Sequence, residues 1–112
     1  MRIYIICPVR NADPVVIERM RGYANFLKLN GHNVHYPPDD IPQNDPTGKV
    51  INTMHRDAMI KADEVHVFWD IKSSGSHFDL GMAYALYKKI VLVEAFQSDN
   101  EGKSYLKAVI LT

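Results

Sequence analysis

The chain has 112 residues, enough to bury one hydrophobic core and too few for two, so a single domain over 1–112 is expected. Thirteen basic and 13 acidic residues cancel, and no block of like charge stands out, which removes the electrostatic case for nucleic-acid or membrane-surface binding and leaves a small molecule or another protein as partner. No apolar run approaches bilayer length, the opening "MRIYIICPVR" lacks the layout of a signal peptide, and a lone Cys7 can form neither an internal disulfide nor a cysteine metal site, so a cytoplasmic location is expected.

Residues 2 to 7, "RIYIIC", are a β-branched and aromatic run closed by Pro8, the pattern of a strand buried on both faces, with Cys7 as a small apolar residue at its end. From Pro14 to Leu29, Val16, Ile17, Met20, Tyr23, Ala24, Phe26 and Leu27 recur at helical spacing. Asp13 caps this stretch, Pro14 sits in its first turn and Asn30-Gly31 stops it. "HNVHY" reads as a short second strand. The proline-rich "PPDDIPQNDPTG" after it has no periodicity and reads as a long loop, of the kind that serves as a lid or binding edge.

Lys49 to Ala62 predicts a second helix with Ile51, Met54, Ala58 and Ala62 on its inner face, and "EVHVFWD" a third strand. A third helix is expected from Ser76 to about Lys88, and "KIVLVEA" as a fourth, apolar strand; the tail "SDNEGKSYLKAVILT" fits either strand or helix. Alternating strands and helices predict an α/β, doubly wound (Rossmann-like or flavodoxin-like) domain, a parallel sheet of four to five strands with helices on both faces. In such sheets ligands bind beyond the carboxyl ends of the strands, here the loops after Cys7, Tyr36, Trp69 and Val93.

Asp79 falls at the start of the third helix, beside those loops, where a helix N-terminus would keep a carboxylate nucleophile ionised. Ser76 and Asp79 also have the spacing of a capping box, in which the acid only satisfies the helix's first amides. Ser73, Ser74 and Ser76, with amides near Gly75, can cradle a phosphate, and Arg10 can meet the same anion from the first loop. Gly75 allows close ligand approach, and Gly81 a tight seat of the helix on the sheet. Trp69 offers a flat face to a nucleobase, or simply a core side chain.

"HRD", His55 to Asp57, matches a kinase tripeptide, but Ala62 stands where the kinase asparagine belongs and no glycine-rich phosphate loop exists. At about 100° per residue Asp57 lies roughly 60° from Met54, at the border of the inner face. His32, His35, His66 and His77 have no zinc-type spacing, and no metal or cofactor is expected.

The stretch "ADEVHVFWDIKSSGSHFDLGMAYALYKKIVLV" resembles the nucleoside 2-deoxyribosyltransferase-like superfamily, which includes the nucleoside 5'-monophosphate N-glycosidases; "RIYIICPVRN" and the proline-rich segment extend the likeness over most of the chain. The resemblance implies cleavage or transfer of an N-glycosidic bond by retaining double displacement at the anomeric carbon. Asp79 stands at the position of the family's nucleophilic glutamate, one methylene shorter. The acid that assists the leaving base falls on His55, with Asp57 two residues later, and either is a candidate. Ser73 stands where the monophosphate glycosidases have a phosphate-binding serine. The resemblance therefore implies Asp79, His55 and Asp57 as catalytic residues and Arg10, Trp69, Ser73, Gly75 and Ser76 as ligand contacts, in a homodimer or higher homo-oligomer. Two other readings stay open: a non-catalytic nucleotide-binding module of the same fold, and a TIR-like NAD glycohydrolase, whose signature around the acid is missing here.

Overall fold

A computed structural model of the chain describes residues 1–9, 12–40, 44 and 46–96. The apolar run after Met1 forms strand β1, Arg2–Ile6, and the helical periodicity that follows forms α1, Pro14–Leu29. The punctuation of α1 is as expected: the Val15 amide donates to Asp13 Oδ1 at 2.8 Å, and Gly31, at φ 85°, supplies the left-handed turn that leads out. Met20, Ala24 and Leu27 are its buried residues, whereas Phe26 is 60% exposed. Phe26 follows Ala24 by about 200° of helix rotation, which carries it to the solvent side.

Strand β2, Asn33–His35, is followed by a short helix α2, Pro37–Asp40, where only loop was expected. The turn is tied by the Tyr36 amide donating to Asp40 Oδ2 at 2.7 Å, and by Arg21 of α1 gripping both oxygens of Asp39. Helix α3, Lys49–Lys61, starts at Gly48, whose φ of 73° turns the chain into it. Strand β3 is Glu64–Asp70, helix α4 is Ser74–Ala85, two residues earlier at its start than expected, and strand β4 is Lys89–Phe96. Helix or strand beyond Phe96 lies outside the described residues.

The four strands of the described residues form one parallel sheet in the order β2-β1-β3-β4. From β1 the chain moves one way to β2, then crosses back over β1 to β3 and onward to β4, so the winding reverses between β1 and β3. Helix α1 covers one face, its Met20, Ala24 and Leu27 packing on Ile3, Ile5, Val34 and Phe68. Helices α3 and α4 cover the other, with Met59, Ala62, Leu80 and Ala83 against Tyr4, Ile6, Val65, Val67 and Trp69. The fold is thus α/β and doubly wound, and β1 and β3 are central because both their faces are apolar.

Strand β4, at the edge of the described sheet, is less buried than its apolar sequence predicts: it is partly covered along most of its length, its register against β3 shifts between Val67 and Phe68, and its Glu94 pairs with Arg19 of α1. Gly81, expected to seat α4 on the sheet, is instead exposed, with nothing within 4 Å of where a Cβ would stand.

The end of α4 is pinned to α3 by Lys88, whose Nζ donates to Ile60 O at 2.9 Å and Ala62 O at 2.8 Å, capping the carbonyl end of that helix. Lys88→Met is expected to cost about 1–2 kcal/mol of stability in urea unfolding, since two charged hydrogen bonds are lost while the aliphatic stem is kept.

Candidate active site at the winding reversal

A cleft of about 540 Å³ opens where the winding reverses, beyond the carboxyl ends of β1, β2 and β3. Its walls come from Cys7 and Val9 after β1, from Pro37 and the Pro46–Gly48 segment after β2, from Ile51, Asn52 and His55 on α3, and from Lys72 to Gly75 leading into α4. Pro37 and Pro46–Gly48, at the two ends of the proline-rich stretch, are therefore part of the cleft wall. Asp79 lines the same cleft while only 8% exposed.

Helix α4 explains how an acid comes to lie there. Its cap is Ser73, whose Oγ accepts from the Ser76 amide at 3.3 Å, so the helix begins earlier than the Ser76–Asp79 spacing implies. The capping-box expectation is thereby corrected: Asp79 sits in the second turn, and its carboxylate accepts from Tyr4 Oη at 3.0 Å instead of from a helix amide. Ser73→Ala is expected to destabilise the fold by about 1 kcal/mol in thermal unfolding, through loss of the cap.

Tyr4 is fully buried, and its hydroxyl bridges two groups: Asp79 Oδ2 on α4 and, at 2.7 Å, His55 Nδ1 on α3. His35 of β2 stacks on the Tyr4 ring at 4.9 Å between centroids and meets His55 edge-on at 5.9 Å. Four side chains from four elements thus converge behind the cleft. Burial pushes the Asp79 carboxyl up to about 6, against the opposing pull of the Tyr4 hydrogen bond. Burial, then the charge of Asp79, raises the Tyr4 phenol far above its ordinary value, and the same two causes push Cys7 up to about 12. Burial, helped by His35, lowers His55 to about 4. At neutral pH the cluster therefore holds a carboxylate, a neutral phenol, a neutral thiol and a neutral imidazole.

Of the residues singled out from the sequence, Asp79, His55, Ser73, Ser74 and Gly75 line the cleft together. Gly75 has no positive φ; it contributes space, with nothing within 4 Å of a Cβ position. Ser76 does not reach the cleft wall: it is buried, and its hydroxyl donates to Ser73 Oγ at 2.9 Å, holding that oxygen in place. Asp57 is not brought to the cleft either. It lies on a separate cavity of about 350 Å³ with Arg2, Asn33, His35 and Lys61, and its side chain is 57% exposed beside Arg56. The inner face of α3 carries His55 and Met59, not Met54, so Asp57 lies about 160° from His55. Trp69 is a core residue between β3 and α4, its ring 4.6 Å from that of His77. Arg10 lies outside the described residues.

The sequence reading passed over Tyr4 and Lys72. Tyr4 carried a signal: a phenol inside an otherwise aliphatic buried strand must find a hydrogen-bond partner, and here it finds two. Lys72 carried none, since one lysine in a loop is ordinary.

A scan against protein-family models and a search of curated proteins gave no match to this chain. Solved structures do match. A CMP N-glycosidase from Clostridium botulinum superposes with a TM-score of 0.67 at 20% identity, over 97% of this chain and 80% of that one. A 2-deoxyribosyltransferase from Bacillus psychrosaccharolyticus gives 0.70 at 15% identity, over 97% and 90%. A 2-deoxyribosyltransferase from Leishmania mexicana gives 0.62 at 20% identity, over 83% and 63%. At these identities the likeness is one of fold: the chain has the fold of the nucleoside 2-deoxyribosyltransferase-like proteins. Among the described residues no helix is long and apolar enough to cross a membrane.

Proposed function

We propose that the cleft cleaves the N-glycosidic bond of a nucleoside or deoxynucleoside 5'-monophosphate, by a retaining double displacement through Asp79. The observation that carries this reading is the Asp79 carboxylate itself, buried at the wall of a ligand-sized cleft and oriented by the Tyr4 phenol. Tyr4 engages Oδ2 and leaves Oδ1 without a hydrogen-bond partner among the described residues, so one oxygen is held and the other is available to attack the anomeric carbon. Attack and departure of the base form a glycosyl ester on Asp79, which water or a second base then displaces from the face the first base vacated. His55 lines the cleft and is the donor proposed for the leaving base.

The phosphate half of the reading rests on the start of α4. Lys72, Ser73, Ser74 and Gly75, with open space at Gly75, line the cleft where α4 begins, and a helix N-terminus adds amide donors and positive potential. That the fold neighbours carry the names of a CMP N-glycosidase and 2-deoxyribosyltransferases supports the same chemistry. The homodimer implied by the resemblance belongs to this proposal and is checked by sedimentation equilibrium.

The test is incubation with a panel of nucleosides, deoxynucleosides and their 5'-monophosphates, with and without added free base, following base release by chromatography. Release from the monophosphates is expected, and Ser73→Ala is expected to raise KM for them by about 10-fold while leaving unphosphorylated nucleosides unaffected. No release from any member overturns the enzymatic reading; calorimetric binding without release would then support the nucleotide-binding module. NAD, included in the panel, is expected to remain intact.

A further inference from the structure

We propose that Tyr4 is the middle link of a proton wire from Asp79 to His55, so that the proton delivered to the departing base is the one whose loss frees Asp79 to attack. The inference rests on the glycosidic reading of the cleft for its role, though not for its geometry. Tyr4 Oη lies 3.0 Å from Asp79 Oδ2 and 2.7 Å from His55 Nδ1, and a phenol has one hydrogen to give and lone pairs to accept with. Two proton arrangements therefore satisfy both contacts without moving a heavy atom. With Asp79 ionised, Tyr4 donates to Oδ2, His55 donates its Nδ1–H to Tyr4, and His55 Nε2 is a bare acceptor. With Asp79 protonated, its O–H donates to Tyr4, Tyr4 donates to Nδ1, and Nε2 carries the hydrogen.

Passage from the second arrangement to the first balances. Nε2 gives its proton to the base, Tyr4 passes its own to Nδ1, and Asp79 passes its proton to the Tyr4 oxygen. The C–N electron pair leaves with the base as Oδ1 bonds to the anomeric carbon. In the second half, Nε2 takes a proton from the attacking water, the ester C–O bond breaks, and the wire returns a proton to Asp79. Nucleotide and water enter; base and sugar phosphate leave.

The surroundings favour this wire over a charged histidine. Burial lowers His55 to about 4, so an imidazolium is no reservoir near neutrality, whereas Asp79, at about 6, is. The other titratable groups facing the cluster are the Cys7 thiol just after β1, pushed up by burial, the His35 ring of β2, lowered by burial against the pull of Asp40, and Lys72, which lines the same cleft. His35 Nε2 is buried without a partner among the described residues and offers the wire no branch.

The experiment is ¹⁵N NMR of the His55 ring nitrogens in the free protein from pH 4.5 to 8, with the Asp79 carboxyl followed by ¹³C. His55 is expected to change from the Nε2–H to the Nδ1–H tautomer with the midpoint of Asp79. Tyr4→Phe is expected to leave Asp79 titrating while His55 no longer follows, and to lower kcat for base release about 100-fold with KM unchanged. A His55 tautomer that is constant across the Asp79 titration, or that still follows it in Tyr4→Phe, overturns the wire, whatever the turnover. A tautomer switch in a protein that releases no base from any nucleotide overturns the glycosidic reading instead.

Discussion

Asp79→Asn is expected to abolish base release, lowering kcat/KM by roughly 10³-fold or more, while calorimetric affinity for the nucleotide stays within a few-fold. The amide matches the carboxylate in shape and still accepts from Tyr4, so the wall of the cleft is kept and only the proposed nucleophile is lost. Because Ser73, not Asp79, caps α4, the substitution leaves the helix start untouched, and far-UV circular dichroism is expected to be unchanged. Asp79→Glu is the sharper probe. The family resemblance read from the sequence implies a glutamate at this position, but here the carboxylate is registered against a buried phenol at 3.0 Å. An added methylene displaces the oxygens by about 1 Å from that partner, and base release is expected to fall about 100-fold. Full activity in Asp79→Asn would remove Asp79 as nucleophile; equal activity in Asp79→Glu would show that the Tyr4 contact does not set its position.

What was legible in the sequence follows from how local each signal is. The ends of α1 are written in neighbouring residues, Asp13-Pro14 and Asn30-Gly31, and the strands in runs of β-branched and aromatic residues, so both were read correctly. That a ligand belongs beyond the strands' carboxyl ends follows from the alternation of strands and helices alone, whereas the strand order that confines the cleft to the ends of β1, β2 and β3 is not legible in the sequence. Phase errors explain the misplacements. Reading Met54 as inward on α3 rotated the whole face and drew Asp57 towards the site, whereas Met59, beneath the sheet's Tyr4 and Val65, sets the true face. Reading Ser76 as a cap had the same origin, since two overlapping serine spacings, Ser73–Ser76 and Ser76–Asp79, are equivalent locally and only the loop's path chooses between them. The Tyr4–Asp79 contact spans 75 positions, so the strand shows that Tyr4 needs a partner but not that the partner is Asp79. Trp69 shows the converse: a residue chemically suited to stack on a base is consumed by packing against α4.

The same cluster makes opposing contributions to stability as pH falls, and single substitutions are expected to expose each. Asp79 has its carboxyl raised from 3.8 to about 6 in the folded state. Its contribution is therefore present in full below 3.8 and lost as pH rises through 6, so on this account acidification from pH 7.5 to 4.5 stabilises the fold by about 2 kcal/mol. His55 is lowered from 6.5 to about 4. The unfolded chain takes up a proton that the folded one refuses, so its contribution is present above 6.5 and lost as pH falls through 4, which destabilises over the same window by about 1–2 kcal/mol after allowance for screening at the cleft. In the unsubstituted protein the two nearly cancel. Asp79→Asn removes the first and leaves the second, so stability relative to the parent is expected to decline on acidification; His55→Gln does the reverse, and its relative stability is expected to climb. Taking each variant against the parent at every pH cancels the groups common to all, including Glu64, whose carboxyl the His66 hydrogen bond holds low on the sheet's other side. Urea unfolding at pH 4.5, 6 and 7.5 reads the divergence, expected to reach about 3 kcal/mol between the two variants at pH 4.5 once they are aligned at pH 7.5. Parallel profiles would mean that burial does not shift this pair in opposite directions, and with that the carboxyl would lose its standing as the proton store of the cleft.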